Sequence, residues 1–365
     1  MSLADDFPIP EWPALTEDEA LGDAVARLAG ADGPADESPA WPERLWQILK
    51  EAGATRWALP KGQGGPGFGR PALVRRYGRI AEGSLTAAFL LTQHDAAVRR
   101  LAIPGAGANA DAWLHRIADG SAFTTVGISQ LTTSRRKGAA AVVARPFGRG
   151  FELHGSIPWV TGAERADVIV VGAVLDDGRQ ILAAMPTGRP GVTVHEAFHL
   201  AALTASRTAE VLVEGVAIGP EDLIAGPVAD VMAVPGTAST GGLETSALAL
   251  GQARAAIAAM AAEDREDLVE PFEALAKEWQ ATADALIAAA GERPDAPAPA
   301  SIRARANALV LRATQAHLTA RKGSGFLLSD PAQRWARQAL FFLVWSCPSP
   351  VASAAIRDFA GLCPA

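Results

Sequence analysis

The residues best suited to chemistry are few, and most of them stand alone. His195 and His199 enclose Glu196, Ala197 and Phe198 in a His-Glu-x-x-His pattern. On a helix that spacing points two imidazoles at one metal. Their segment, GVTVHEAFHLAAL, has strand and turn character and shows no third ligand, so no metal is expected. The glycine-rich stretch WALPKGQGGPGFGRP, residues 57–71, looks like a phosphate loop at a glance. It lacks the Lys-Ser/Thr ending and the glycine spacing of the nucleotide fingerprints, and reads as a turn-rich connector. His94 and His115 are isolated, as core or surface histidines are. Arg135, Arg136 and Lys137 form a short basic run that reads as a solvated turn, although such a run can also meet phosphates. Cys347 and Cys363 fit neither a disulfide framework nor metal-ligand spacing.

Something must hold such groups in place. A chain of 365 residues suggests about two or three domains. With 49% hydrophobic and 20% charged residues, a large core is possible and wholesale disorder is excluded. The balance of 33 Lys+Arg against 40 Asp+Glu, net −7, argues against a nucleic-acid partner. No apolar run approaches the ~20 residues that span a bilayer. ALFFLVW, residues 339–345, is too short and reads as core. The acidic start MSLADDFPIP lacks a signal pattern, so a cytoplasmic protein is expected.

The texture changes twice. Residues 1–119 carry helical patterns at 17–29 (with Thr16 as N-cap), 39–52, a pair through 71–101, and 108–118. Residues 120–234 shift to a period of two, with strands expected at 122–129, 140–147, 150–160, 167–174, 180–185 and 208–213. Residues 235–365 return to helix at 241–263, 269–290, 301–322 and 331–345, with a proline-rich connector at 291–300. Helix, then strand, then helix predicts an α+β chain and excludes a doubly wound sheet. The expected parts are an N-terminal α-helical domain, a middle antiparallel β-barrel and a C-terminal helical bundle.

Five phrases, in order, resemble the acyl-CoA dehydrogenase superfamily. LPKGQGGPGFG followed by RRYGRIAEGSLTAAFLLTQH is similar to its glycine-rich turn and the helices after it. WLHRIADGSAFTTVGIS resembles its entry into the β domain. GSIPWVTGAERAD, residues 155–167, is the most specific, and resembles the family's Trp-Ile-Thr-Asn strand beside the flavin. LTASRTAEVLVEGVAIGPEDLIAG, residues 203–226, is similar to the strand that leaves the β domain. GSGFLLSDPAQRWARQALF, residues 323–341, resembles the C-terminal glycine turn and arginine helix. The resemblance runs from about Trp57 onward. It implies an acyl-CoA dehydrogenase-like fold ending in a four-helix bundle, with FAD held between the subunits of a homodimer or homotetramer.

The implied reaction is α,β-dehydrogenation of an acyl thioester such as an acyl-CoA. A base takes the α-proton, flavin N5 accepts a hydride, and donors polarise the carbonyl. By resemblance, Trp159 would cover one face of the isoalloxazine and Thr161 would place a hydroxyl near N5. Where the family has Thr-Glu-Pro…Gly-Ser-Asp, this chain has GISQLTTSRR, with Ser129 and Thr132 among the donors available to flavin. Gly323 and Gly325 would form the turn near the cofactor. Many members carry the base shortly after the C-terminal arginine helix, but LFFLVWSCPSPVAS, residues 340–353, contains no carboxylate. The family's second location is the first helix of the C-terminal domain. GGLETSALALGQARAAI, residues 241–257, resembles that helix and offers Glu244 as the catalytic base. Helical spacing puts Glu244, Leu248 and Gly251 on one face.

The adenine grip departs from the family. Its Arg and aromatic three residues apart become Arg265 and Phe272, seven apart, and Thr319 stands where a glutamine usually precedes the glycine turn. An electron-transferring flavoprotein is the implied acceptor. Two other readings stay open on the same fold: a two-component flavin monooxygenase, which needs no α-proton base, and a scaffold subunit without cofactor.

Overall fold

Five helices come first in a computed structural model that describes residues 8–13, 18–132, 140–236, 242–263 and 265–362. They are α1 (Glu19–Asp36), α2 (Glu43–Glu51), α3 (Arg70–Gly83), α4 (Leu85–Leu101) and α5 (Ala108–Ala118). Asp18 caps α1, its carboxylate accepting the Leu21 N–H at 3.1 Å; Thr16 lies outside the described residues. The helix continues past residue 29 through GADGPAD, a run of helix breakers. Tertiary contact overrides propensity there, because Asp32 is buried against Ser84 and Arg334. Ser84 also caps α4, accepting the Ala87 N–H at 3.1 Å. Every residue of α4 from Leu85 to Val98 is buried, so this helix is surrounded and not surface-lying.

The strands are β1 (Thr124–Gly127), β2 (Val142–Phe147), β3 (Gly150–Val160), β4 (Val168–Val174), β5 (Gln180–Pro186), β6 (Val192–Val194), β7 (Ala209–Ile218) and β8 (Leu223–Val228). They form one eight-stranded sheet ordered β6-β7-β3-β2-β4-β5-β8, with β1 added beside β4. The pairings are antiparallel except β1·β4 and β2·β4, which are parallel. Period-two patterning has a packing cause in β4. Val168 and Val170 join the core formed with the end of α4 and with α5, while Ile169, Val171 and Ala173 join the main core. β6 and β8 gave no clear sequence signal. The first is three residues long, and the second contains Gly226-Pro227, which an edge strand tolerates.

The C-terminal helices are α6 (Leu243–Ala261), α7 (Val269–Ala290), α8 (Pro299–Arg321), α9 (Pro331–Ala339) and α10 (Ser349–Phe359). The helix expected over 331–345 breaks at Leu340. The helical turn that follows brings Phe341 and Trp345 onto Phe89 of α4, with ring centroids 4.9 and 4.7 Å away. α6 is buried on nearly all sides and packs against α3, α7 and α8. Its crossing with α3 is a backbone contact, since a Cβ on Gly251 would stand 2.1 Å from the Gly78 carbonyl oxygen. Gly251→Ala is therefore expected to lower stability by roughly 1–3 kcal/mol through overpacking. The check is a shifted urea midpoint at constant m-value; an unmoved midpoint would show that the helices separate freely. Among the described residues no helix is long and apolar enough to cross a membrane.

Candidate active site

Glu244 occupies the first turn of α6, where free N–H groups and the helix dipole favour an acid. Its side chain is only 13% exposed. Arg99 Nη2 and Arg70 Nε approach Oε1 at 3.8 and 4.0 Å, close enough for charge attraction but too long for hydrogen bonds. Oε2 is buried without a hydrogen-bond partner among the described residues. A carboxylate held by charge but not capped by donors keeps a lone pair for a proton brought by a ligand.

Behind it lies a second carboxyl. Arg99 Nη1 donates to the Tyr77 hydroxyl at 3.2 Å, and that hydroxyl donates to Asp95 Oδ2 at 2.6 Å. Tyr77 and Asp95 are fully buried. Burial pushes the Asp95 carboxyl up to about 7, against the pull of the Tyr77 hydroxyl and of Arg99. Burial also raises the Tyr77 phenol, with the Asp95 charge adding to the effect. Burial lowers Arg100 to about 9, with the Arg99 charge acting the same way. Sequence reasoning missed Asp95, Tyr77, Arg70 and Arg99. For Asp95 the available signal was an acid inside an apolar helix.

Asp95 gives the protein a pH signature. The folded state keeps its proton up to about pH 7, whereas the unfolded chain releases it near ~4. Stability from this group is thus fully present at low pH and is lost as pH rises through about 7. Asp95→Asn should flatten the fall in the urea midpoint between about pH 5 and pH 8. An equal fall in both proteins would assign the effect to other groups.

The residues expected around flavin fall in two further places. The Trp159 ring, on β3, is 42% exposed and lies 4.9 Å from the Phe198 ring. Thr161 is buried, and its hydroxyl accepts from Thr208 at 3.3 Å. Ser129 opens a single helical turn directly after β1, and Thr132 closes it. Gly323 has open space where a Cβ would be, while Gly325 is packed under Arg321. Arg265 donates to Asp267 and, at 2.8 Å, to the Ala320 carbonyl at the end of α8, which places it beside the glycine turn. Phe326 and Leu328 next to that turn are 81% and 69% exposed.

The structure thus unites Arg265 with Gly323 and Gly325, and Glu244 with Arg70 and Arg99. Among the described residues no hydrogen bond, ion pair or ring contact joins Glu244 to Trp159 or Thr161. α4 packs on both β1 and α6. The open Trp159 face and the open Gly323 backbone fit a planar aromatic cofactor with a phosphate tail.

Other candidates are placed as well. His195 and His199 follow β6 on irregular backbone, with His195 Nδ1 3.4 Å from Glu210, so no helix presents the two rings together. His94 is buried between the Thr124 and Thr55 carbonyls, at 3.2 Å from each, and burial lowers it to about 4, which keeps it neutral. Arg135, Arg136 and Lys137 lie outside the described residues.

No family model matches the chain. It is 29% identical over 155 residues to the probable acyl-CoA dehydrogenase YngJ of Bacillus subtilis, a match covering 41% of each chain. It is 22% identical over 354 residues to the mitochondrial short-chain specific acyl-CoA dehydrogenase of Rattus norvegicus, covering 91% of this chain and 85% of that one. Among solved structures, glutaryl-CoA dehydrogenase from Mycobacterium smegmatis in complex with FADH2 superposes with a TM-score of 0.78 at 21% identity, over 94% of this chain and 95% of that one. FMN-bound TdsC from Paenibacillus gives 0.77 at 19% identity, over 94% and 98%. The fold is the acyl-CoA dehydrogenase fold. The chain is a divergent member of the acyl-CoA dehydrogenase superfamily.

Proposed function

We propose that the protein is a flavin-dependent oxidoreductase that α,β-dehydrogenates an acyl thioester, with Glu244 taking the α-proton. The observation that carries this reading is the buried, unpartnered Oε2 of Glu244 beside two guanidinium groups. Arg70 and Arg99 hold the carboxylate in place by charge and leave its second oxygen for the substrate proton. A bound flavin supplies the hydride acceptor for the β-carbon. Trp159 would wall the ring site, and the Gly323–Gly325 turn with Arg265 would hold the phosphates of an FAD shared with a second subunit. The apolar Phe326–Leu328 surface supports that homo-oligomer. An acyl-CoA is the proposed substrate and an electron-transferring flavoprotein the proposed acceptor.

A second reading has its own support. Where many members place a carboxylate after the arginine helix, this chain packs Phe341 and Trp345 against Phe89, and the FMN-bound TdsC structure shares the fold. Two-component oxygenation with reduced flavin needs no base there. One experiment separates the readings: the protein's visible spectrum with added flavin, followed by acyl-CoA without oxygen. Bleaching of oxidised flavin supports dehydrogenation. Oxygen consumption with reduced flavin and no bleaching supports oxygenation, and a chain that takes up no flavin overturns both in favour of a scaffold.

A further inference from the structure

Three helices meet around one guanidinium that serves two carboxyl groups. Arg99, on α4, turns Nη1 to the Tyr77 hydroxyl of α3 at 3.2 Å and Nη2 to Glu244 of α6 at 3.8 Å. Tyr77 passes the contact on to Asp95, one turn earlier on α4, through a 2.6 Å hydrogen bond. We propose that Asp95 is a positioning residue for Glu244: acting through Tyr77 and Arg99, its proton sets how much of the Arg99 charge is turned on the base. The functional consequence rests on Glu244 being the proton acceptor.

The cluster has few other members. α3 contributes Tyr77 and Arg70, α4 contributes Asp95, Arg99 and Arg100, and α6 contributes Glu244. Among the described residues, the carboxyl groups that reach Arg99 are those of Glu244 and Asp95, and the Tyr77 hydroxyl is its hydrogen-bond partner. Arg100 donates to the Ala96 carbonyl at 2.7 Å. The relay thus has one branch on each side of Arg99.

When Asp95 carries a proton, its hold on the Tyr77 hydroxyl weakens and the Arg99 charge faces Glu244 with less competition. Arg99 then stays turned on the Glu244 carboxylate. When Asp95 is ionised, it pulls on the Tyr77 hydroxyl, whose oxygen draws Arg99 toward the buried side. Less of the Arg99 charge then faces Glu244. Asp95 Oδ1 is buried without a hydrogen-bond partner among the described residues, so no protein donor there opposes its protonation. Its burial-raised titration, at about 7, puts the change in the range where proteins work.

The test uses the full chain labelled with carbon-13 at the glutamate carboxyl groups, with the Glu244 resonance assigned by its loss in Glu244→Gln. Across about pH 5 to 9 the Glu244 signal should show an inflection at the Asp95 midpoint. That inflection should vanish in Asp95→Asn and in Tyr77→Phe, which keeps the Asp95 carboxyl but cuts the relay. Should Asp95→Asn fail to fold, Tyr77→Phe decides alone. The proposal is overturned if the wild-type signal has no such inflection, or if the inflection survives in Tyr77→Phe. In the loaded enzyme, the alkaline rise of the bleaching rate should disappear in the same variants. Failure of the base assignment looks different: bleaching would then persist in Glu244→Gln while the inflection in the unaltered chain remains.

Discussion

Glu244→Gln is expected to slow flavin bleaching by acyl-CoA by a factor of about 10²–10⁴ while the protein keeps its flavin colour. Glutamine preserves shape and hydrogen-bonding capacity but cannot accept the α-proton. It also leaves Arg70 and Arg99 facing a neutral amide, so local charge becomes more positive. An anionic thioester should therefore bind no more weakly than before, and the loss should fall on kcat and not on KM. Glu244→Asp retains the charge but withdraws it by one methylene, and should land between wild type and the amide. Stopped-flow reduction without oxygen measures all three. A glutamine variant that bleaches at the wild-type rate would remove Glu244 from the chemistry and leave the oxygenation reading in front.

Glu244 was proposed from the sequence because GGLETSALALGQARAAI resembles a family helix, and because it is an acid in an otherwise apolar segment. Its partners were not, because charge pairing across α3, α4 and α6 joins residues far apart in the chain. Nothing in the sequence alone pairs Arg70 and Arg99 with Glu244. Thr161 also has a partner that the sequence did not show. Its place in GSIPWVTGAERAD suggested a hydroxyl near a ligand, and the fold adds a donor to it, the Thr208 hydroxyl just before β7. The same division holds for the fold. β3 and α7 match their expected spans at 150–160 and 269–290 because their patterns repeat within the element. The tail of α1 and the strand β8 were invisible because contacts from elsewhere overrule their glycines and prolines. α10 was missed for a similar reason: SPVASAAIRDF opens on proline and serine and follows an irregular stretch.

Arg334→Ala is expected to bring the largest loss of stability, about 3–5 kcal/mol, because it strands a buried charge. Asp32 of α1 is 1% exposed; Arg334 Nε of α9 lies 2.8 Å from its Oδ2, and the Ser84 hydroxyl donates to Oδ1 at 2.5 Å. Ser84 caps α4, so the pair pins the first and last helical regions to the buried helix between them. Burial raises the Asp32 carboxyl above its usual range, with the Asp36 charge adding to this and Arg334 and Ser84 opposing it. A raised folded value means that stability from this group is present at low pH and lost as pH rises. Without Arg334 the main opposing charge is gone, so the deficit should be smallest near pH 5, where a neutral Asp32 is tolerated, and grow toward pH 8. Adding Asp32→Asn should recover much of the loss, since the damage is the unpaired charge more than the missing contact. Urea melts of the three variants at both pH values decide it. A deficit independent of pH and untouched by Asp32→Asn would mean that Arg334 acts through the packing of its stem, and that its charge contributes little to joining α1 and α9.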